Sequence, residues 1–329
     1  MLIILYLKKN LWSKANAIKV LIAVNDHFSK ATWDCFLKAK YAKEIQNWDV
    51  IYCRNRLNVY KHFANADICF LHGYGSFLNF KNNKQKLIYF PLLGLDFLIN
   101  KQIPQNIKIE NPPAYSVEAI AEYCVAMAII FSRNLQYAMF DQRNGKWNQG
   151  PILKDFFVSI SDFKIGVLGV GNVGKVISEK FKKMGCHVAG FDKIAKKDIA
   201  SIDLWFSGNE LKDFLKHIDV LVIALNLNEE TKNIIGVEEL KCLGASSFLI
   251  NVSRGDIIIE KDLLRALKSK TIKGAVIDTF SKEPLAIGSA FYKLANVIVT
   301  PHIAGNINLF VKEIQKDFIE KSIEYSRNV

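Results

Sequence analysis

With 329 residues, half of them hydrophobic, the chain is long enough to bury a sizeable core, and its length predicts two domains rather than one. The net charge of +12 comes from lysines spread along the chain, without long basic runs or aromatic–basic interleaving, which argues against nucleic-acid binding and suits the steering of a small anionic substrate. The six cysteines (Cys35, Cys53, Cys69, Cys124, Cys186, Cys242) show no CxxC and no metal-ligand spacing, so reduced thiols in a cytoplasmic protein, and no metal centre, are expected.

The N-terminal apolar run stops at Lys8, with no basic residue before it and no small-residue cleavage site after it; neither a signal peptide nor a membrane span is expected. KVLIAV (19–24), WDVIYC (48–53), ADICFLH (66–72) and KLIYF (86–90) read as strands of a smaller α/β domain, closed by Asn111-Pro112-Pro113. SVEAIAEYCVAMAIIFSRNL (116–135) predicts one long helix, opened by Ser116 and Glu118 and apolar on most sides, hence buried between domains or at a subunit interface. KIGVLG (164–169), CHVAGF (186–191), DVLVIAL (219–225), SFLINV (247–252), KGAVID (273–278) and NVIVT (296–300) are short apolar runs separated by helical patterns. Six strands with crossover helices describe a doubly wound α/β domain. The last stretch, NINLFVKEIQKDFIEKSIEY, is amphipathic and is expected to pack back on the first domain.

Gly169-Val170-Gly171-Asn172-Val173-Gly174 joins a predicted strand to a predicted helix. In that context a GxGxxG turn lets backbone N–H groups approach a pyrophosphate, whose charge the helix N-terminus favours. Asp192 follows Gly174 at the end of the next strand, where a carboxylate accepts hydrogen bonds from ribose hydroxyls and repels a 2′-phosphate. NAD is therefore expected in preference to NADP, although Lys193 stands beside that carboxylate. A methyltransferase using S-adenosylmethionine would share the loop and the acid, so the later strands must decide the reaction.

Three polar residues follow later strands, on the side where open parallel sheets bind ligands: Arg254 in NVSRGD, Glu283 in IDTFSKEPL and His302 in TPHIAG. Histidine suits proton transfer near neutrality, a carboxylate on its second ring nitrogen fixes its tautomer, and a guanidinium matches the edge of a carboxylate and a carbonyl. The set is what reduction of a ketone by hydride requires, and a methyltransferase has no use for it.

In this order the glycine loop, Asp192, NVSRGDIII, GAVIDTFSKEPL and TPHIAG resemble the NAD-dependent D-2-hydroxyacid dehydrogenase family. The resemblance implies two Rossmann-like doubly wound α/β domains. A larger NAD-binding domain (113–303) would be inserted into a smaller, flavodoxin-like substrate domain (1–112 plus 304–329). It implies a homodimer acting on a small 2-oxo or 2-hydroxy acid, away from membranes. Arg254, Glu283 and His302 would form the catalytic set, with His302 as acid/base and Glu283 as its partner. Gly169, Gly171, Asn172, Val173, Gly174, Asp192, Asn226, Thr231, Val252, Ser253, Asp278, His302 and Gly305 would line the cofactor, with Asp278 near the nicotinamide carboxamide. Leu93, Gly94, His72 and Tyr74 would join Arg254 and His302 at the substrate.

The chain departs from the family in three places. Ala224-Leu225-Asn226 replaces a His-x-Pro-type segment, Thr279 stands where valine is common, and PLLGLD is bulkier than the usual substrate loop. Phosphoglycerate dehydrogenases of that family tend to carry an Arg-Ser pair after this strand; ADICFLHGYGS holds no arginine, so the resemblance favours glyoxylate, hydroxypyruvate or a larger unphosphorylated 2-oxo acid over phosphoglycerate. Formate dehydrogenases of that family have glutamine where Glu283 stands, so the resemblance disfavours formate. A phosphoglycerate dehydrogenase-like enzyme and a non-catalytic NAD-sensing protein on the same fold are the alternatives.

Overall fold

The computed structural model describes residues 17–24, 28–73, 78, 80, 86–92, 94–98, 101–112, 116–150, 159–194, 199–305 and 310–327. The chain divides into two compact units, residues 1–115 with 307–329 and residues 116–306. Among the described residues no helix is long and apolar enough to cross a membrane.

The first unit opens with strand β1 (Ile18–Ala23), helix α1 (Lys30–Lys40), β2 (Trp48–Cys53), α2 (Arg56–Phe63), β3 (Ile68–Phe70), β4 (Lys86–Tyr89) and β5 (Ile107–Glu110). Ser29 and Asn55 start the two helices by accepting the N–H groups of Thr32 and Asn58. The sheet runs β2-β1-β3-β4-β5, all parallel, which is the flavodoxin-like order. Four strands were expected and five are present. The extra one, β5, has the sequence IKIE and lies at the sheet edge, where charged residues interrupt the apolar run that marks a central strand.

The second unit holds α3 (Val117–Ser132), α4 (Leu135–Arg143), β6 (Lys164–Leu168), α5 (Asn172–Lys183), β7 (His187–Asp192), β8 (Leu204–Ser207), α6 (Leu211–His217), β9 (Val220–Ile223), α7 (Val237–Leu243), β10 (Phe248–Asn251), α8 (Glu260–Lys268), β11 (Gly274–Ile277) and β12 (Val297–Val299). Its parallel sheet runs β12-β11-β10-β9-β6-β7-β8, the doubly wound order of a dinucleotide-binding domain. The chain order reverses between β6 and β9, so the switch point sits at the glycine loop that follows β6. β8 is a seventh strand beyond the six expected; LWFS is a short edge strand with an exposed leucine.

The predicted helix over 116–135 is α3 (Val117–Ser132), and a separate helix, α4, begins at Leu135. It stops at Ser132, and Asn134 adopts a left-handed backbone (φ 53°), a conformation asparagine tolerates. Ser116 accepts no capping hydrogen bond from the helix it precedes. α3 buries Ile120, Ala121, Cys124, Ala128 and Phe131 and packs on α5, while Ile129 stays exposed.

The final helix, α9 (Val311–Arg327), belongs to the first unit and packs on α1 and β4. Its Phe318 is fully buried with ring centroids 5.5 Å from Trp33, 5.2 Å from Phe70 and 5.5 Å from Tyr89. Asp317 accepts the Tyr89 hydroxyl at 2.6 Å, so the apolar seam ends in a satisfied polar contact.

Candidate active site

The glycine loop follows β6 and opens α5. Gly169 has φ +93°, and a β-carbon there would lie 2.9 Å from the backbone of Ala224 and Leu225, so the turn needs glycine twice over. A β-carbon on Gly174 would fall 2.0 Å from the Gly169 carbonyl oxygen, which is how closely helix and strand approach. Around Gly171, by contrast, a β-carbon would meet nothing within 4 Å, and α5 carries no side-chain cap. Space is therefore open beside Gly171, at the start of the helix whose first turn holds Asn172 and Val173, and a helix N-terminus of this kind suits an anion such as a pyrophosphate.

Asp192 ends β7 beside this loop. Its carboxylate accepts the N–H groups of Val170 at 3.1 Å and Lys193 at 2.8 Å, which hold it at the strand end. The Lys193 ammonium, the feature that weakened the expectation of NAD, lies 2.8 Å from the Glu230 carboxylate. Glu230 belongs to the loop after β9. There the Thr231 hydroxyl donates to the Asn226 carbonyl at 2.6 Å and accepts the Asn228 N–H at 2.8 Å. Asn226 and Thr231 thus shape one turn, and the hydroxyl of Thr231 is committed to it.

Past β10, Asn251 builds the Arg254 turn: its side-chain oxygen accepts the Ser253 N–H and hydroxyl, and its amide donates to the Arg254 carbonyl. Val252 donates its N–H to Ile223 and keeps the turn against β9. Gly255 then lets this turn pass against the backbone after β11, because a β-carbon on it would lie 2.0 Å from the Phe280 carbonyl carbon. The half-buried Arg254 side chain donates to the Ser253 carbonyl at 2.8 Å.

Glu283 and His302 meet. The imidazole Nδ1 lies 2.9 Å from Glu283 Oε2, and Glu283 Oε1 accepts the Phe280 N–H at 3.0 Å. His302 has a left-handed backbone (φ 54°), uncommon for a residue with a β-carbon. Buried Asp278 lies beneath: its carboxylate accepts the N–H groups of Ile303 and Ala304, and its carbonyl accepts that of His302. A cavity of about 590 Å³ opens here, lined by Asp278, Phe280, Glu283, Leu285, Tyr292 and His302.

Residues 125–304, more than half of the chain, match the family described as "D-isomer specific 2-hydroxyacid dehydrogenase, NAD binding domain". The chain belongs to the D-isomer specific 2-hydroxyacid dehydrogenase family. Similar members include a glyoxylate/hydroxypyruvate reductase A of Arabidopsis thaliana, 27% identical over 70% of this chain and 72% of that one. A glycerate dehydrogenase of Methylorubrum extorquens is 32% identical over 61% of this chain and 62% of its own length. In fold, the chain resembles the crystal structure of a D-isomer specific 2-hydroxyacid dehydrogenase family protein from Aeromonas salmonicida, with a TM-score of 0.79, 22% identity and coverage of 95% and 97% of the two chains.

Within this dehydrogenase-family chain the second unit carries the glycine loop, Asp192, Arg254, Asp278, Glu283, His302 and Gly305. Of the expected substrate-side residues, His72 and Gly94 belong to the first unit, and the His72 ring packs 5.5 Å from that of Phe28. Leu93 and Tyr74 lie outside the described residues. Three contributors were not anticipated: the Phe280 N–H on Glu283, and Thr300 and Tyr123 behind Asp278. A backbone donor has no sequence signature. The tyrosine and threonine are 177 residues apart, so only the fold pairs them.

Burial pushes the thiols of Cys53, Cys124 and Cys186 above the ordinary range, that of Cys186 to about 11, which keeps these cysteines protonated and unreactive.

Proposed function

We infer that the protein interconverts a small 2-oxo acid and its D-2-hydroxy acid, with a nicotinamide dinucleotide held by the glycine loop. The observation that carries this reading is the Glu283–His302 pair, 2.9 Å apart past the ends of β11 and β12 in the domain that holds the loop. A bound nicotinamide would supply or accept the hydride. His302, with Nδ1 turned to Glu283, holds its proton on Nε2 for the substrate oxygen, giving it up in reduction and taking it back in oxidation. Glu283 fixes the ring and stabilises the imidazolium. Arg254 keeps its charge throughout and grips the carboxylate and carbonyl of the 2-oxo acid. Phe280 and Leu285 give the cavity beside the pair apolar walls.

Two features support NAD over NADP. Asp192 presents a carboxylate where a 2′-phosphate would have to sit, and Lys193, the nearest candidate to neutralise that phosphate, is engaged by Glu230. Solved chains of this fold carry either cofactor: one from Xanthobacter autotrophicus was determined with NADPH and one from Lactobacillus delbrueckii with NAD. Glyoxylate or hydroxypyruvate is the favoured substrate, because relatives bear those names and the loop after β3 holds no arginine for a phosphate. Exposed Ile129, Leu135, Met139 and Phe140 on α3 and α4 support self-association into a dimer.

The test is oxidation of NADH and NADPH by a panel of glyoxylate, hydroxypyruvate, pyruvate, larger 2-oxo acids and phosphohydroxypyruvate. Turnover of an unphosphorylated 2-oxo acid with NADH is expected. Tight NADH binding without turnover of any of them would overturn the enzyme reading and leave a binding protein.

A further inference from the structure

Behind the Glu283–His302 pair runs a hydrogen-bond chain that the reaction does not use directly. The Thr300 hydroxyl donates to Asp278 Oδ1 at 2.5 Å. Its single proton is thereby spent, so the Tyr123 hydroxyl, 2.6 Å from Thr300 Oγ1, must be the donor in that second bond. Burial holds the Tyr123 phenol above its ordinary range; its bond to Thr300 offsets part of that and the Asp278 charge adds to it, which keeps the phenol a donor. The sequence Tyr123 to Thr300 to Asp278 therefore has one direction.

Asp278 is where this chain meets the catalytic loop. The same Oδ1 that takes the Thr300 proton accepts the Ile303 N–H at 2.8 Å, and Oδ2 accepts the Ala304 N–H at 3.0 Å. These two N–H groups immediately follow His302, whose left-handed backbone needs such restraint to persist. α3 closes the arrangement: a β-carbon on Gly305 would meet Ile120 at 3.3 Å and the Ser116 hydroxyl at 3.5 Å, so the segment after His302 rests on the first turn of the helix that carries Tyr123.

The geometry points to Tyr123 and Thr300 as positioning residues that, through Asp278, hold the His302 backbone where its imidazole Nδ1 faces Glu283. Their hydrogen bonds run to each other and to Asp278 rather than to the imidazole or Glu283; they aim the carboxylate that ties down residues 303 and 304. This rests on the reading of His302 as the acid/base, and its test has a readout that needs no substrate. An unconstrained neutral histidine side chain favours the Nε2–H tautomer, whereas a ring donating Nδ1–H to a carboxylate is held in the other tautomer.

The experiment labels histidine with 15N and follows the ring nitrogens of His302, assigned by their loss in His302→Gln, at a pH where the ring is neutral. Wild type is expected in the Nδ1–H tautomer. Thr300→Val should shift it toward Nε2–H, lower kcat for 2-oxo acid reduction about ten- to a hundredfold and leave the KM for NADH within about twofold, and Thr300→Ser should restore both. Tyr123→Phe should move the tautomer and kcat in the same direction by less, and decides the matter if Thr300→Val does not fold. A folded Thr300→Val or Tyr123→Phe with an unchanged tautomer would overturn the proposal, even if its melting temperature had fallen. If no 2-oxo acid is reduced by the wild type, the tautomer comparison still stands, so failure of the activity and failure of the positioning role are told apart.

Discussion

His302 Nδ1 lies 2.9 Å from one oxygen of Glu283, and the other oxygen of that carboxylate accepts the Phe280 N–H at 3.0 Å. Glu283 is thus fixed at one end by the backbone and aims the imidazole with the other. If the pair works as proposed, His302→Ala lowers kcat by about 10²–10⁴ and leaves NADH affinity within about twofold, as measured by fluorescence titration. Equal losses in both would remove the acid/base role. Glu283→Gln should lower kcat for reduction about tenfold or more and leave NADH affinity within about twofold, because the ring loses the carboxylate that fixes its tautomer. An unchanged kcat would reduce Glu283 to a structural role.

Cofactor choice is tested at Asp192. Replacing it by serine removes the charge proposed to repel a 2′-phosphate and retains a short polar side chain for the Val170 and Lys193 N–H groups. The ratio of kcat/KM for NADPH over NADH should rise about tenfold or more, the equivalent of about 1.4 kcal/mol. Should the ratio hold steady, Asp192 serves only to pin the loop and the strand end.

Thr279 follows Asp278 past the end of β11. Its side chain is buried, and its hydroxyl has no hydrogen-bond partner among the described residues. Thr279→Val keeps the shape and removes the unsatisfied group, so it should stabilise the fold by about 1 kcal/mol, read as a higher urea midpoint at unchanged slope. A lower midpoint would mean the hydroxyl is satisfied in solution.

Lys86 is fully buried at the start of β4, where its ammonium donates to the carbonyls of Phe63 at 2.5 Å and Ala66 at 2.8 Å, and sits 4.6 Å from the Phe63 ring centroid. It satisfies carbonyls left open at the end of α2. Lys86→Met fills the space without the donors and should cost about 2–3 kcal/mol in chemical denaturation. No loss of stability would show that water replaces the ammonium.

Asp203 predicts how stability depends on pH. Partial burial would raise its carboxyl, but the Lys182 ammonium and the Val188 N–H outweigh that and hold it below the ordinary carboxylate range. A group depressed in the folded state stabilises above its unfolded pKa, and that contribution fades as pH falls through the folded value. Asp203→Asn should therefore be less stable than wild type at pH 7, by about 1 kcal/mol, and the gap should close as acidification carries the pH below the ordinary carboxylate range. A gap that is the same at both pH values would exclude the charge as its cause.

Central strands were legible because a strand buried on both faces is a continuous apolar run; DVLVIAL and SFLINV contain β9 and β10 whole. The edge strands IKIE and LWFS were not, since charged residues break the first and the second is short and partly exposed, whereas the edge strands within WDVIYC and NVIVT keep apolar runs that could be read. The stop at Ser132 was hidden because Arg133 and Asn134 do not interrupt the apolar pattern, and only the left-handed turn at Asn134 ends the helix.

The sequence by itself determined the class of the chain: alternating strands and helices, a glycine loop between strand and helix, an acid at the next strand end, and an arginine, a glutamate and a histidine after later strands. Local chemistry sets each of these, because spacing along a strand or a turn is enough to define them. Tertiary structure alone decided that Glu283 and His302 are in hydrogen-bond contact, that Gly255 lets the Arg254 turn touch the Phe280 backbone, and that Tyr123 reaches Asp278 through Thr300. Those contacts join segments from different strands and from α3. They exist because parallel pairing in register brings the ends of β10, β11 and β12 side by side, which no local pattern encodes.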